Sequence, residues 1–227
     1  MSQDSLEQAA RNSEQSSKQD TPNTRFRTIE PSILYFGTPV ALISSLNEDG
    51  TTDLAPMSSF WALGWTIVLG LLTETKTADN LQVGADCVVN IPSPDLWQHV
   101  EKLAPLTAKN PVPELKAKQF RFEPKKFEAC GLTPLKSEVV KPDRVKECPV
   151  HLEARVAGVH HLSGGRLGRL GGGVATEVEV LRVHVSDELI VKERHIDPEK
   201  WSPLIYNFRH YFRLADRELG KTFRSET

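Results

Sequence analysis

Short β-branched and apolar runs recur along this chain, and each is cut off by residues that turn the backbone. Residues 39–46 read Pro-Val-Ala-Leu-Ile-Ser-Ser-Leu and run into Asn47-Glu48-Asp49-Gly50, a strong turn signal, so a hairpin is predicted here. Residues 65–72 form a second buried strand ended by the polar residues 73–77, and residues 87–91 a third, stopped by Pro92 and Pro94. Residues 150–159 alternate Val150, Leu152, Ala154 and Val156 with His151, Glu153 and Arg155, the pattern of a strand with one wet face. Residues 178–185 repeat it, with Val178, Val180 and Val183 as core candidates.

Helices are fewer and shorter. Residues 77–83 suit a short helix with Thr at its N-cap, residues 95–103 suit another, and Asp197-Pro198 reads as a cap followed by proline at the first helical position. Residues 104–118 hold three prolines among polar residues and read as a surface excursion of the kind that often serves as a lid. Many strands, turns between them and few helices predict a mainly β protein, an antiparallel barrel with a few short helices and a C-terminal arm.

With 227 residues, one core with extensions is expected, divided as a disordered tail over residues 1–27 and a domain over 28–227. The first 24 residues are Ser-, Gln- and Asn-rich and lack both a signal-peptide apolar region and a transit-peptide profile. A net charge of −2 gives no field to attract nucleic acid or an anionic membrane, and the apolar stretch 60–72, with Gly64 and Gly70 inside it, is too short to span a bilayer. Three cysteines without a C-x-x-C pair point to the reducing cytoplasm rather than to a disulfide framework or a zinc site. His160 and His161 are strand neighbours facing opposite ways, so they do not chelate one metal, and no metal site is predicted.

Two segments carry candidate chemistry. Residues 73–80 set the hydroxyls of Thr73, Thr75 and Thr77, the Lys76 ammonium and Asn80 around a helix start, where free N–H groups favour a phosphate; a capped, solvated helix is the alternative. Ala55-Pro56-Met57-Ser58-Ser59 joins small residues and a φ-locked proline directly to Phe60 and Trp61, a place where a flat ring can lie against exposed backbone; the alternative is an ordinary connection. The glycine-rich residues 163–173 lie between two strands and have neither Walker nor Rossmann context.

In order and spacing, residues 37–44, Asn47-Glu48-Asp49-Gly50, residues 53–59, Lys76-Thr77-Ala78-Asp79-Asn80-Leu81 and Val88-Val89-Asn90 resemble the flavin reductase-like, FMN-binding split-barrel family. The resemblance implies a six-stranded Greek-key split barrel and a homodimer with FMN near the subunit interface. It also implies contact of the isoalloxazine ring with residues 55–59 and of the ribityl phosphate with residues 73–80. Arg209 and His210, in the aromatic run 206–212, are placed as further flavin neighbours. The activity implied is an NAD(P)H:FMN oxidoreductase in which the nicotinamide C4 hydride passes to flavin N5, with NAD(P)H as co-substrate, no side-chain catalyst, and a monooxygenase or other electron acceptor as partner. A flavoredoxin-like electron carrier and a non-redox flavin-binding module are the other two readings. The chain departs from the family in having Asp53 where Asn is frequent, and no histidine before Val178.

Overall fold

The computed structural model describes residues 25–162, 164–215 and 218–220. The tail expected over residues 1–27 lies almost wholly outside them. The chain divides into Met1–Leu34 and Tyr35–Thr227, and residues 25–34 contain no helix or strand.

The second unit contains strands β1 (Phe36–Pro39), β2 (Ala41–Leu46), β3 (Thr52–Met57), β4 (Phe60–Leu63), β5 (Thr66–Leu72), β6 (Asp86–Ile91), β7 (Val150–Leu162), β8 (Gly173–Val185), β9 (Ile205–Asn207) and β10 (His210–Phe212). Short helices α1 (Lys76–Asn80), α2 (Trp97–Leu103) and α3 (Lys126–Cys130) join them. Seven strands form one antiparallel sheet in the order β3-β2-β6-β7-β8-β5-β4. Its two edge strands, β3 and β4, are separated in sequence by Ser58 and Ser59 alone, so the sheet must curl until its edges meet. Counted as one strand bent at Ser58-Ser59, β3 and β4 reduce the seven to the six expected. The fold is an antiparallel Greek-key split barrel. At the bend Gly70 donates its N–H to Ser59 O at 2.6 Å, and a Cβ added at Gly70 would lie 3.1 Å from Ser59 Cβ, so glycine is what lets β5 approach.

The expected hairpin pairs Ala41 with Met57 through Leu46 with Thr52, turned by Gly50 at φ +81°. Inside the barrel pack Ile43, Leu69, Val89, Val156 and Val178. A second cluster covers the outer face of β2 and β3, where Leu42 and Leu54 meet Val100 and Leu103 of α2 and Phe127 of α3. Helices of seven and five residues do not persist alone in water; full burial of leucines such as Leu103, each contributing about 2 kcal/mol, holds them down.

Several local expectations change. β5 buries only Ile67, Leu69 and Leu71, and Trp65 is exposed. The first helix begins at Lys76 with Thr75 as N-cap and ends by Asn80, because Gln82 turns its side-chain amide back onto the carbonyls of Ala78 and Asp79. Within the excursion Leu106 and Thr107 are buried and pair in parallel with Arg121 and Phe122. His151 and Glu153 are buried rather than wet, because residues 136–145 fold over that face of β7. His184 is half-buried and donates to Glu153 at 2.7 Å. Val183 is 40% exposed, since Leu181 is an extra residue in the β7–β8 register and upsets the alternation. Asp197 caps a single turn, accepting Glu199 N at its side chain, and Pro203 stops it from growing into a helix. The aromatic run is instead the β9–β10 hairpin, paired with β1.

Candidate functional site

The short helix α1 lies against β3, the strand that runs into the bend, and the excursion reaches α1 through Lys109 and Lys116. Ala55, Pro56, Met57, Ser58 and Ser59 are all half-buried, as the edge β3 and the bend leave backbone without a neighbouring strand. Tyr35, which sequence reasoning missed, ties this segment to the C-terminal hairpin. Its hydroxyl hydrogen-bonds Ser59 Oγ, its ring meets Tyr206 edge-on at 5.5 Å, and its carbonyl accepts Phe208 N at 3.1 Å.

Around α1 the hydroxyls take distinct roles. Thr75 Oγ1 accepts Ala78 N at 3.1 Å and donates to Leu72 O at 2.8 Å, the bonds of an N-cap. Thr73 donates to Gly171 O at 2.5 Å, bringing the glycine-rich hairpin connection alongside. Thr77 is buried, and Asn80 Nδ2 donates to Ser45 Oγ and Asn47 Oδ1 at 3.1 and 3.2 Å. Lys76 Nζ lies 2.6 Å from both carboxylate oxygens of Glu48.

Three lysines absent from the sequence-based set come close by. Lys109 Nζ lies 3.1 Å from Asp79 Oδ2, and Lys116 donates to Glu74 O at 2.7 Å. Lys126 is 3% exposed, donates to Leu54 O on the free edge of β3 at 2.9 Å and sits 2.8 Å from Asp53 Oδ1. Burial depresses the Lys116 pKa; Glu74 opposes that shift, while the like charges of Lys109 and Lys126 add to it. The signal in the sequence was the lysine content of residues 109–126, but only the folding of that loop onto α1 distinguishes these lysines from a solvated stretch.

Asp53, the departure noted in sequence, is 1% exposed, and neither of its oxygens takes a well-aligned hydrogen bond among the described residues, although Oδ1 is within ion-pair distance of Lys126. Arg209 and His210 are exposed on the β9–β10 hairpin, and Phe208 and Arg209 form its two-residue turn with φ of +45° and +69°, a strained choice for residues with a Cβ. Tyr35 links that hairpin to Ser59; α1 is on other elements.

The cysteines are free and buried, and burial pushes the Cys87 thiol up to about 12 and raises Cys130 and Cys148 as well, so none is a ready thiolate. Among the described residues no group of His, Cys, Asp and Glu is arranged to hold a metal, and no helix is long and apolar enough to cross a membrane.

Residues 33–215 match the family model for the flavin reductase like domain, and the chain belongs to that family. It is 49% identical over 212 residues to an uncharacterized protein, YdfE, of Bacillus subtilis (strain 168), covering 92% of this chain and 98% of that one. Among solved structures it is similar to the flavoredoxin of Desulfovibrio vulgaris (Miyazaki F), with a TM-score of 0.69 and 19% identity over 89% of this chain and 100% of the other. It is also similar to nitrilotriacetate monooxygenase component B from Bacillus cereus, with a TM-score of 0.66 and 21% identity over 86% and 98%. At these identities the two structures speak for the fold.

Proposed function

We propose that this chain is an FMN-binding flavin reductase that takes its electrons from NAD(P)H. The observation that carries the reading is that α1, with its hydroxyls and the lysines drawn to it, lies against β3, the strand that leads into the half-buried bend at residues 55–59. This geometry fits the cofactor at both ends. Exposed backbone and small side chains at the bend suit a flat ring, while Lys76, Lys109 and Lys116 suit a phosphate. FMN, when bound, supplies the ring nitrogen that accepts the nicotinamide hydride. The work of the chain is to hold and orient: Thr75 fixes the start of α1, Asn80 ties α1 to the β2–β3 turn, and Tyr35 braces Ser59. No side-chain general base is needed. Asp53 is drawn into its pair with Lys126, which offsets its charge beside the bend.

A second reading has its own support. The segment 173–177, Gly-Val-Ala-Thr-Glu, contains no histidine to help receive a nicotinamide, which favours an electron carrier reduced by a partner protein. The exposed Phe208 and Phe212 of the hairpin, with Phe36 against Phe208 at 4.7 Å, support a homodimer in which the hairpin carries Arg209 and His210 to the neighbouring copy. The buried free thiols suit a reducing cytoplasm.

The deciding experiment is anaerobic rapid mixing of FMN-loaded protein with NADH and then NADPH. Fast bleaching of the oxidised-flavin band by either is the expected result. Reduction only by a protein donor selects the carrier, and failure to bind FMN at micromolar concentration, about −8 kcal/mol, removes both readings.

A further inference from the structure

The chain has three tyrosines among its 227 residues, and the fold brings all three into one row. The row starts at the bend, where the Tyr35 hydroxyl hydrogen-bonds Ser59 Oγ. The Tyr35 ring meets Tyr206 edge-on with centroids 5.5 Å apart, Tyr206 meets its cross-strand neighbour Tyr211 at 5.8 Å, and Tyr211 meets Trp97 of α2 at 6.3 Å. These spacings are those of aromatic pairs in contact. The three phenols are half-buried, while Trp97 is 44% exposed, so the row runs from the flank of the bend to solvent.

Packing alone does not ask for phenols. A hairpin resting on α2 is served as well by phenylalanine, of which the chain has nine, and the same hairpin sets Phe208 against Phe36 at 4.7 Å. Tyrosine and tryptophan differ from phenylalanine in giving up one electron far more readily, and an electron passes most easily between rings in contact. A tyrosine that loses an electron becomes a strong acid and needs a base for its hydroxyl proton. One is in place, because Tyr211 donates its hydroxyl to Glu101 Oε2 at 3.0 Å. Before oxidation that proton is held firmly, since burial and the Glu101 carboxylate push the Tyr211 pKa up.

We infer that Tyr35, Tyr206, Tyr211 and Trp97 form a one-electron relay that carries an oxidising equivalent from a light-excited flavin to the protein surface. The inference rests on the proposed seating of the flavin ring at residues 55–59 and adds a photochemical activity to it. Tyr35 gives one electron to the excited ring, Tyr206 refills Tyr35, and Tyr211 refills Tyr206 while its proton passes to Glu101. The ring has then gained one electron, and the vacancy rests at Tyr211 as a neutral tyrosyl radical beside a protonated Glu101. Trp97 returns an electron to Tyr211, which takes its proton back, and a soluble enediol reductant such as ascorbate restores Trp97. Excited flavin is the oxidant and the enediol the reductant, so each turn moves one electron from solution to the ring.

The test uses protein saturated with FMN, without oxygen, and replaces single rings by phenylalanine, which keeps the packing and removes the electron donor. Wild type should show weak flavin fluorescence and, after a light flash, a tyrosyl radical by electron paramagnetic resonance. Tyr35→Phe should lengthen the fluorescence lifetime severalfold. Tyr206→Phe should keep the quenching, since Tyr35 is still present, but lower the yield of long-lived radical severalfold, because the electron returns to Tyr35 before the vacancy moves on. Glu101→Gln should shorten the life of the radical, and Trp97→Phe should slow the bleaching of the flavin band under steady light with ascorbate. Fluorescence as weak in Tyr35→Phe as in wild type, quenching lost in Trp61→Phe instead, or equal radical yields in wild type and Tyr206→Phe would overturn the relay while leaving FMN binding intact. A wild type that takes up no FMN would overturn the proposed function, and the relay with it.

Discussion

Two buried carboxylates on opposite flanks of the barrel are treated in opposite ways. Glu153, 0% exposed on β7, accepts the backbone N–H groups of Glu138, Val139 and Val140 at 2.7–3.1 Å and the His184 ring at 2.7 Å, with Arg144 at 3.8 Å. Asp53, 1% exposed on the edge strand β3, has Lys126 as an ion-pair partner, and neither of its oxygens takes a well-aligned hydrogen bond among the described residues. The first is a staple that fastens residues 136–145 over the outer face. The second is electrically balanced but under-bonded, and it lies beside the bend where the candidate site is built. Buried polar groups are mostly satisfied, and His151 Nδ1 on β7 and Thr176 Oγ1 on β8 are left short as well; what marks the Asp53 flank as open is a charge balanced by one lysine in place of a shell of amides.

The largest effect should come from breaking the weaker-bonded pair. Lys126→Met removes the cation and strands the Asp53 charge in a nearly dry position, at a cost of about 3–5 kcal/mol. Adding Asp53→Asn to that variant should recover most of the loss, since no charge then remains to be offset. Thermal melts of the single and double variants decide it. A double variant as unstable as Lys126→Met would mean that Lys126 acts through Leu54 O and packing, not through Asp53.

Glu153→Gln should cost less, about 2 kcal/mol or more, lowering Tm by roughly 4–8 °C. The amide oxygen still accepts, but its NH2 confronts an N–H that the carboxylate used to receive. The same residue gives a pH dependence. Burial pushes the Glu153 carboxyl up, yet the amides of Glu138 and Val139 and the His184 ring outweigh it and hold the pKa below the ordinary value. A depressed carboxyl contributes stability that is full above its unfolded pKa, about 4.3, and is lost as pH falls through the folded value. Wild type should therefore lose stability on acidification below about pH 4, and Glu153→Gln should lose less over the same interval. Parallel curves for the two proteins would remove Glu153 from the acid response.

The same contrast explains what the sequence could and could not disclose. The β2–β3 hairpin was legible because Asn47-Glu48-Asp49-Gly50 and the two flanking runs are local, α1 because its threonines mark a helix start, and the family pattern supplied residues 55–59 only as an expected flavin contact. Glu153 was misjudged because alternation says which residues share a face, not what covers it; its cover begins fifteen residues upstream at Glu138. Lys116 and Lys126 were passed over for the same reason. A lysine in a polar stretch looks solvated until the loop carrying it is placed against α1 or the β3 edge, which periodicity does not encode. The Asp197-Pro198 signal was genuine, yet it yielded one turn because Pro203 and the pairing of β9 with β1 prevailed.

The smallest effect on stability should be at the Lys76–Glu48 pair, and it sharpens the contrast from the ligand side. Glu48 is 82% exposed, so its ion pair is screened by solvent and salt, and Glu48→Gln should leave Tm unchanged. Ligand binding should respond nonetheless, because the carboxylate occupies the Lys76 ammonium through both oxygens and repels any phosphate arriving at α1. Removing that charge should tighten FMN and leave riboflavin as it was, with the gain fading as ionic strength rises. Lys76→Ala should abolish the gain, since the freed cation is its source. If Glu48→Gln instead weakens FMN, or tightens both flavins alike, Glu48 is holding the β2–β3 turn in shape rather than guarding a cation, and Lys76 belongs with the satisfied structural residues rather than with the open flank.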